Sequence, residues 1–217
     1  PKGQMIISGG EVNHNSYKKE VFSVDPSADF AIRQLNDMHF GRGSHGLVWA
    51  EGYVYAIAGE VGDYSIACER LHLATNTWEI LPELELLCGY PHVIYLEGTR
   101  SLYAVGSDHS GVKWGDSHQY FSIQQCPIST LTWSVLFVES QSVEHNPAFK
   151  ADHKKFYYVR QGSLWSLELQ PFEGFKLTNV GNSVYVNEDN GPKFLIGDTL
   201  YDASSDGLLG RTKLPSE

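Results

Sequence analysis

Cysteine is scarce in this chain: Cys68, Cys88 and Cys126 are the only three in 217 residues, and no Cys-x-x-Cys pair occurs. That argues against a disulfide framework, which takes an even and denser set, and against a thiolate zinc site, which takes closely spaced ligands. Free cysteine packs as a small hydrophobe, so the three are expected as reduced core residues of an intracellular, cytoplasmic protein. Asn-x-Ser/Thr acceptors are absent, in keeping with that compartment. No apolar run approaches the roughly 20 residues that cross a bilayer, and no charged-then-apolar leader opens the chain, so no membrane partner is expected. Basic residues are outnumbered, 16 Lys and Arg against 26 Asp and Glu, for a formal charge of −10. With no basic run to offset that charge, a nucleic-acid partner is not expected.

What the chain does have is glycine, 21 residues, and tyrosine, 12, within 41% hydrophobic and 12% aromatic content. Glycine supplies sharp turns and aromatic residues suit a pleated surface, so the composition leans to β structure with an ample core. The chain opens at Pro1 and enters a strand-like segment almost at once, and a piece of something longer is expected.

The stretch "RLHLATNTWEILPE" at 70–83 has counterparts elsewhere. Two large apolar residues flank a small or polar one at Phe22-Ser23-Val24, Leu71-His72-Leu73, Phe121-Ser122-Ile123 and Trp165-Ser166-Leu167, so the unit recurs every 44 to 50 residues. Upstream of each lies a strand-like run ending in glycine: "QMIISGG", "YVYAIAG", "SLYAVG" and "FYYVRQG". Ahead of that, except in the first unit, comes a further run: "GLVWA" after His45, "VIYL" after His92, and "AFKA" after Pro147. A fourth segment follows each triplet, led by Phe30, Trp78, Trp133 and, in the fourth unit, Phe172 or Phe175. Alternation of period two between turn residues, with no 3.6-residue pattern, predicts units of four antiparallel strands. The units span about 4–35, 42–81, 90–137 and 145–179, and 183–214 reads as a fifth, eroded one.

Strand-end glycines, the Asn76-Thr77-Trp78 and Leu81-Pro82 elements, and the run from Gly52 to Gly59 resemble the kelch family, whose repeat is close to 50 residues. The double glycine survives only at Gly9-Gly10; the second and third units read Gly59-Glu60 and Gly106-Ser107. The resemblance implies an all-β fold, a kelch-type β-propeller over residues 1–217 with four recognisable four-stranded blades and the eroded fifth, expected as a fragment of a larger ring. It also implies a role in binding other proteins, such as substrate recognition for a ubiquitin ligase or scaffolding.

Candidate chemistry is thin. "SDHSGVKW" at 107–114 resembles the sialidase Ser-x-Asp-x-Gly-x-x-Trp box, but His109 stands where the box has aspartate, and a surface loop is the better reading. None of the nine histidines is paired at ligand spacing, so no metal is expected, and neither a nucleophile elbow nor a phosphate-cradling glycine loop is present. No catalytic residue and no cofactor are therefore expected. The alternative is a propeller enzyme acting on a sugar or small metabolite in a central channel. The loops carry more: in a four-stranded antiparallel unit, the connection between second and third strands and the link to the next unit share one face. Tyr17, Tyr64, His109 and Trp114 fall in those connections and Arg42 in a link, so these five are expected to form a surface for a protein or peptide partner. Asp63, Asp108 and Asp116 nearby favour a partner of basic character.

Overall fold

The computed structural model describes residues 3–13, 16–60, 66–107, 120–140, 148–150, 152, 154–160, 163–170, 174–182, 193–196, 199–203 and 209–213. Strands dominate; the described residues include no α-helix, only a 3-10 turn at Pro26–Ala28. β1 (Met5–Ser8) is followed by a small hairpin of β2 (Glu11–Asn13) and β3 (Ser16–Tyr17), then by β4 (Val21–Asp25) and β5 (Ala31–Gln34); β1, β4 and β5 form a three-stranded sheet in that order. The second sheet runs β6 (Gly46–Ala50), β7 (Tyr53–Ile57), β8 (Cys68–His72) and β9 (Thr77–Leu81), and the third β10 (Gly89–Leu96), β11 (Ser101–Ser107), β12 (Tyr120–Pro127) and β13 (Ser134–Ser140), each in sequence order. Adjacent strands of the second sheet are antiparallel throughout, as period-two alternation with short turns requires.

The chain divides into two compact units, residues 1–95 with 102–143, and residues 96–101 with 144–217. In the first, the two faces of β7 explain its sequence. Val54 and Ala56 join Val21, Leu35, Met38 and Leu71 in a cluster that ties the first sheet to the second. Tyr55 and Ile57 point the other way, into a cluster with Cys68, Leu81, Cys88, Leu102, Ala104, Cys126 and Trp133 that ties the second sheet to the third. A strand covered on both faces must be apolar at every position, which is why the runs ending at Gly59 and Gly106 read as unbroken hydrophobic stretches. β5, in contrast, is exposed along its length.

In the second unit, β14 (Ala148–Lys150), β15 (Lys155–Arg160), β16 (Ser163–Gln170) and β17 (Gly174–Asn182) make a four-stranded antiparallel sheet around buried Phe156, Leu164 and Leu167. β18 (Lys193–Ile196), β19 (Thr199–Ala203) and β20 (Leu209–Lys213) form a separate three-stranded sheet over the segment read as the eroded repeat. The "SVYVN" run at 183–187 lies outside the described residues.

Two features differ from the sequence reading. Gly9 and Gly10 have φ of +64° and +113°, and their counterparts in the second sheet are Ala58 and Gly59, at +54° and +93°, not Gly59 and Glu60. An alanine has taken the first glycine's place while the backbone kept the left-handed geometry. Phe30 also departs from the pattern: it sits in a turn at φ +56°, 62% exposed, and does not pack as the two tryptophans do. Of its proposed fourth-unit equivalents, Phe175 lies in β17 and Phe172 outside the described residues.

The strand-end glycines are sites of close approach. A Cβ on Gly59 would lie 2.5 Å from the Gly43 carbonyl oxygen, and one on Gly106, whose φ is not positive, 2.5 Å from the Cys88 sulfur. Gly59→Ala combines that overlap with a left-handed backbone and is expected to cost at least about 1 kcal/mol, read as a lower urea midpoint at unchanged slope.

Candidate functional site

The link between first and second sheets, residues 36–44, lies against the β2–β3 hairpin. The Met38 and Arg42 amides donate to the Lys19 and Lys18 carbonyls at 3.0 and 3.1 Å, and Gly10 donates to the Arg42 carbonyl at 2.9 Å. Gly43 and Glu60 exchange a pair of backbone hydrogen bonds at 3.0 and 2.9 Å, which carries the register of the β6–β7 ladder back into the link. Tyr17 is half-buried over this link: a Cβ on Gly43 would come within 3.0 Å of its ring, and one on Gly41 within 2.5 Å of its carbonyl. The two glycines are therefore what lets the hairpin and link approach.

Arg42 does not face outward. Its side chain is fully buried, with Nη1 donating to the Ala58 and Ala67 carbonyls at 2.7 and 2.9 Å and Nη2 to Glu69 Oε1 at 2.8 Å. Burial pulls its pKa down, and the Glu69 carboxylate opposes that shift. The expectation that Arg42 belongs to the partner surface is corrected: a cation in a glycine-rich link looks like an interface anchor, but here the glycines let the link close over it.

Glu69, unremarked in the sequence, is the centre of this network. Its second oxygen accepts from the His39 amide at 2.8 Å and lies 3.1 Å from His39 Nδ1, while Oε1 also accepts from the Phe40 amide at 3.4 Å. A buried carboxylate is tolerated when a cation and several N–H donors satisfy it together. The same device recurs in the third sheet, where fully buried Gln124 accepts from the Leu86 amide and donates to the Leu86 carbonyl, both at 3.0 Å. The first two links are thus each pinned by a polar side chain from the third strand of the sheet they enter.

The Asn-Thr-Trp element works at the other end of the first link. Asn76, at φ +55°, accepts from the Asn36 amide at 2.9 Å through Oδ1, and its carbonyl accepts from Asn36 Nδ2. Trp78 Nε1 donates to the Asn36 carbonyl at 2.8 Å. Asparagine tolerates the left-handed turn and the indole supplies a donor, which explains why both residue types are needed there.

His45 Nε2 lies 2.8 Å from Ser8 Oγ, and its buried Nδ1 has no partner. Burial, with the nearby Arg42 charge second, lowers its pKa to about 4. Because the folded value lies below the unfolded one, near 6.5, the unfolded chain takes up the proton first as pH falls. This contribution is complete above pH 6.5 and is lost progressively toward pH 4, by about 2–3 kcal/mol. His45→Gln is expected to flatten that part of the stability profile, followed by urea unfolding from pH 4 to 7. His92, its counterpart in the repeat, is exposed.

All three cysteines are free and buried, as the sequence suggests, and burial pushes the thiols of Cys68 and Cys126 up to about 12. They are expected to react with a thiol reagent such as DTNB only after unfolding; rapid labelling of the native protein would contradict this packing. No group of three or more His, Cys, Asp or Glu residues able to hold a metal occurs among the described residues. No helix among them is long and apolar enough to cross a membrane.

Of the five residues singled out for a partner surface, Tyr17 and Arg42 come together on the link, one at the surface and one beneath it. Tyr64, His109 and Trp114 lie outside the described residues.

These features define an all-β protein built from repeated antiparallel sheets. No protein-family model matches the chain, and no curated protein matches it. Among solved structures it is similar to the structure of YjhT, with a TM-score of 0.64 and 12% identity over 90% of this chain and 70% of that one. At that identity, the likeness is one of fold.

Proposed function

We propose that the chain forms blades of a kelch-type β-propeller and serves as a noncatalytic module that presents a loop-rich face to a protein or peptide partner. Four-stranded sheets recurring in sequence order, together with the likeness to the structure of YjhT, support the fold. The observation that carries the function is the bracing of the link face. Arg42 and Glu69, both fully buried, fasten the link beneath the half-buried Tyr17, so a loop surface is braced from below by a buried ion pair. Rigid support lowers the entropic cost of binding through loops.

The partner surface comprises Tyr17, Tyr64, His109 and Trp114, with Arg42 as its support. The formal charge of −10 and the carboxylates of Asp63, Asp108 and Asp116 suit a partner with basic residues. Substrate recognition in a ubiquitin ligase or scaffolding in a reducing cytoplasm are roles that such a module can fill. The test compares partners captured by the wild-type chain and by a variant with Tyr17, Tyr64, His109 and Trp114 all changed to alanine, after both are shown to melt cooperatively. The variant is expected to lose a partner that the wild type retains, each true anchor being worth about 1–2 kcal/mol or more. Retention of every partner would remove this surface from the account.

A further inference from the structure

The bridge between Gly43 and Glu60 gathers side chains as well as backbone. Residues that exchange both hydrogen bonds of an antiparallel pair stand opposite one another and share a face, with Cβ positions about 4.5–5.5 Å apart. Gly43 has no side chain, and the Tyr17 ring closes the place one would take: two of its atoms lie 3.0 and 3.1 Å from a Cβ built there. The ring therefore stands beside the Glu60 side chain. The Tyr90 hydroxyl donates to Glu60 Oε1 at 3.0 Å and orients the carboxylate. Tyr17 comes from β3, Tyr90 from β10 and Glu60 from the end of β7, so three segments of the first unit converge on one acidic group. All three residues are half-buried and keep part of their surface in water.

None of the ion pairs Lys18–Glu20, His39–Glu69, Arg42–Glu69 and Arg70–Glu79, found among the described residues, includes Glu60. Arg42, next to Gly43 in the chain, is taken up by Glu69. Glu11, exposed and opposite Tyr17 in the β2–β3 hairpin, adds a second carboxylate to the same neighbourhood. The second sheet shows what completes such a group. There the Arg70 guanidinium carbon lies 4.2 Å from the centre of the Tyr53 ring, while Nε and Nη2 reach Glu79 Oε2 at 2.8 and 2.7 Å. A planar guanidinium stacks on an aromatic face and turns its N–H edge to a carboxylate at the same time, which a lysine ammonium does not. Around Glu60 the ring and the carboxylate are in place, and the described residues supply no cation.

We propose that Glu60 and the Tyr17 ring take the guanidinium of an arginine side chain from the protein or peptide partner, with Tyr90 as the residue that positions the carboxylate. This rests on the reading of the loop face as a binding surface and names the group by which a basic partner is anchored to it. The formal charge of −10 favours the approach of such a partner.

The test is an NMR titration of the full 217-residue chain with the peptide acetyl-Gly-Arg-Gly-amide and its lysine and citrulline analogues, in the wild type and in Glu60→Gln. Citrulline keeps the planar shape without the charge, and glutamine keeps an acceptor for Tyr90. The arginine peptide is expected to shift the Tyr17 ring and Glu60 signals, and to bind at least about tenfold more tightly than the citrulline peptide and severalfold more tightly than the lysine one. Glu60→Gln, shown first to melt as the wild type does, is expected to lose at least about tenfold in arginine-peptide affinity. Equal binding of arginine and citrulline peptides would overturn the proposal without need of a variant. So would equal binding of the lysine peptide, which would reduce the site to charge alone, or the absence of shifts at Tyr17 and Glu60. The site and the face fail separately. If Glu60→Gln binds the arginine peptide as the wild type does, the arginine site falls and the face stands. If the four-alanine variant retains every partner while Glu60→Gln still loses the peptide, the face falls and the arginine site stands.

Discussion

Glu69→Gln or Arg42→Ala should destabilise the first unit by about 3–5 kcal/mol, the range for removing one member of a buried ion pair and stranding the other. Both side chains are fully buried, and the charge left behind has no route to water. The loss is larger than a mean hydrogen bond because Glu69 also holds the His39 and Phe40 amides. Replacing both residues together, Arg42→Met with Glu69→Leu, should recover much of the loss, since an apolar pair of similar volume carries no desolvation penalty. The link amides would still lose their acceptor, so the recovered stability should come with a looser link. Urea unfolding of the two single variants and the double one measures both effects, and strongly additive losses would show that the two residues act separately.

Trp133→Ala should cost about 3–5 kcal/mol, the usual range for truncating a buried aromatic. Trp133 is 5% exposed and sits where Tyr55, Cys68 and Leu81 of the second sheet meet Leu102, Ala104 and Cys126 of the third. Its removal opens a space lined from two sheets, neither of which can close it without shifting its ladder. Trp78→Ala should cost less from lost packing, because this ring is half-buried against the cluster between first and second sheets, but it also removes a donor to Asn36. Trp78→Phe separates the two, keeping most of the packing and losing the hydrogen bond. Equal midpoints for Trp78→Ala and Trp133→Ala would contradict the difference in burial.

The strands were legible because their chemistry is local. The continuous apolar runs of β7 and β11 follow directly from both of their faces being covered. The left-handed pair at the end of β7 was not legible in full, because alanine at φ +54° gives no signal of its own: only Gly59 marks the turn, and the register slips by one residue. Phe30 was misplaced for a related reason. Its turn, capped by Asp25 and ending in left-handed Asp29, is longer than the "ATNT" turn, so aromatic type alone does not fix position.

The brace was hidden by distance. Glu69 and Arg42 are 27 residues apart, and neither shows in its own segment that the other neutralises it. One clue was present: Glu69 follows Cys68 in a strand paired with β7, whose residues Tyr53 to Ile57 are all apolar, a place where an unpaired carboxylate would not be tolerated. Arg42, flanked by Gly41 and Gly43, stands in a segment that can pass close to it.

The claim on which the functional reading rests is that buried polar contacts hold the link face rigid. Hydrogen exchange of residues 36–44 in the wild type and in Glu69→Gln tests it most directly. The account predicts strong protection of the His39, Arg42 and Gly43 amides in the wild type and their joint loss in the variant, with the β15–β17 ladder unchanged. Fast exchange of those amides in the wild-type protein, or protection in the variant equal to it, would contradict the account.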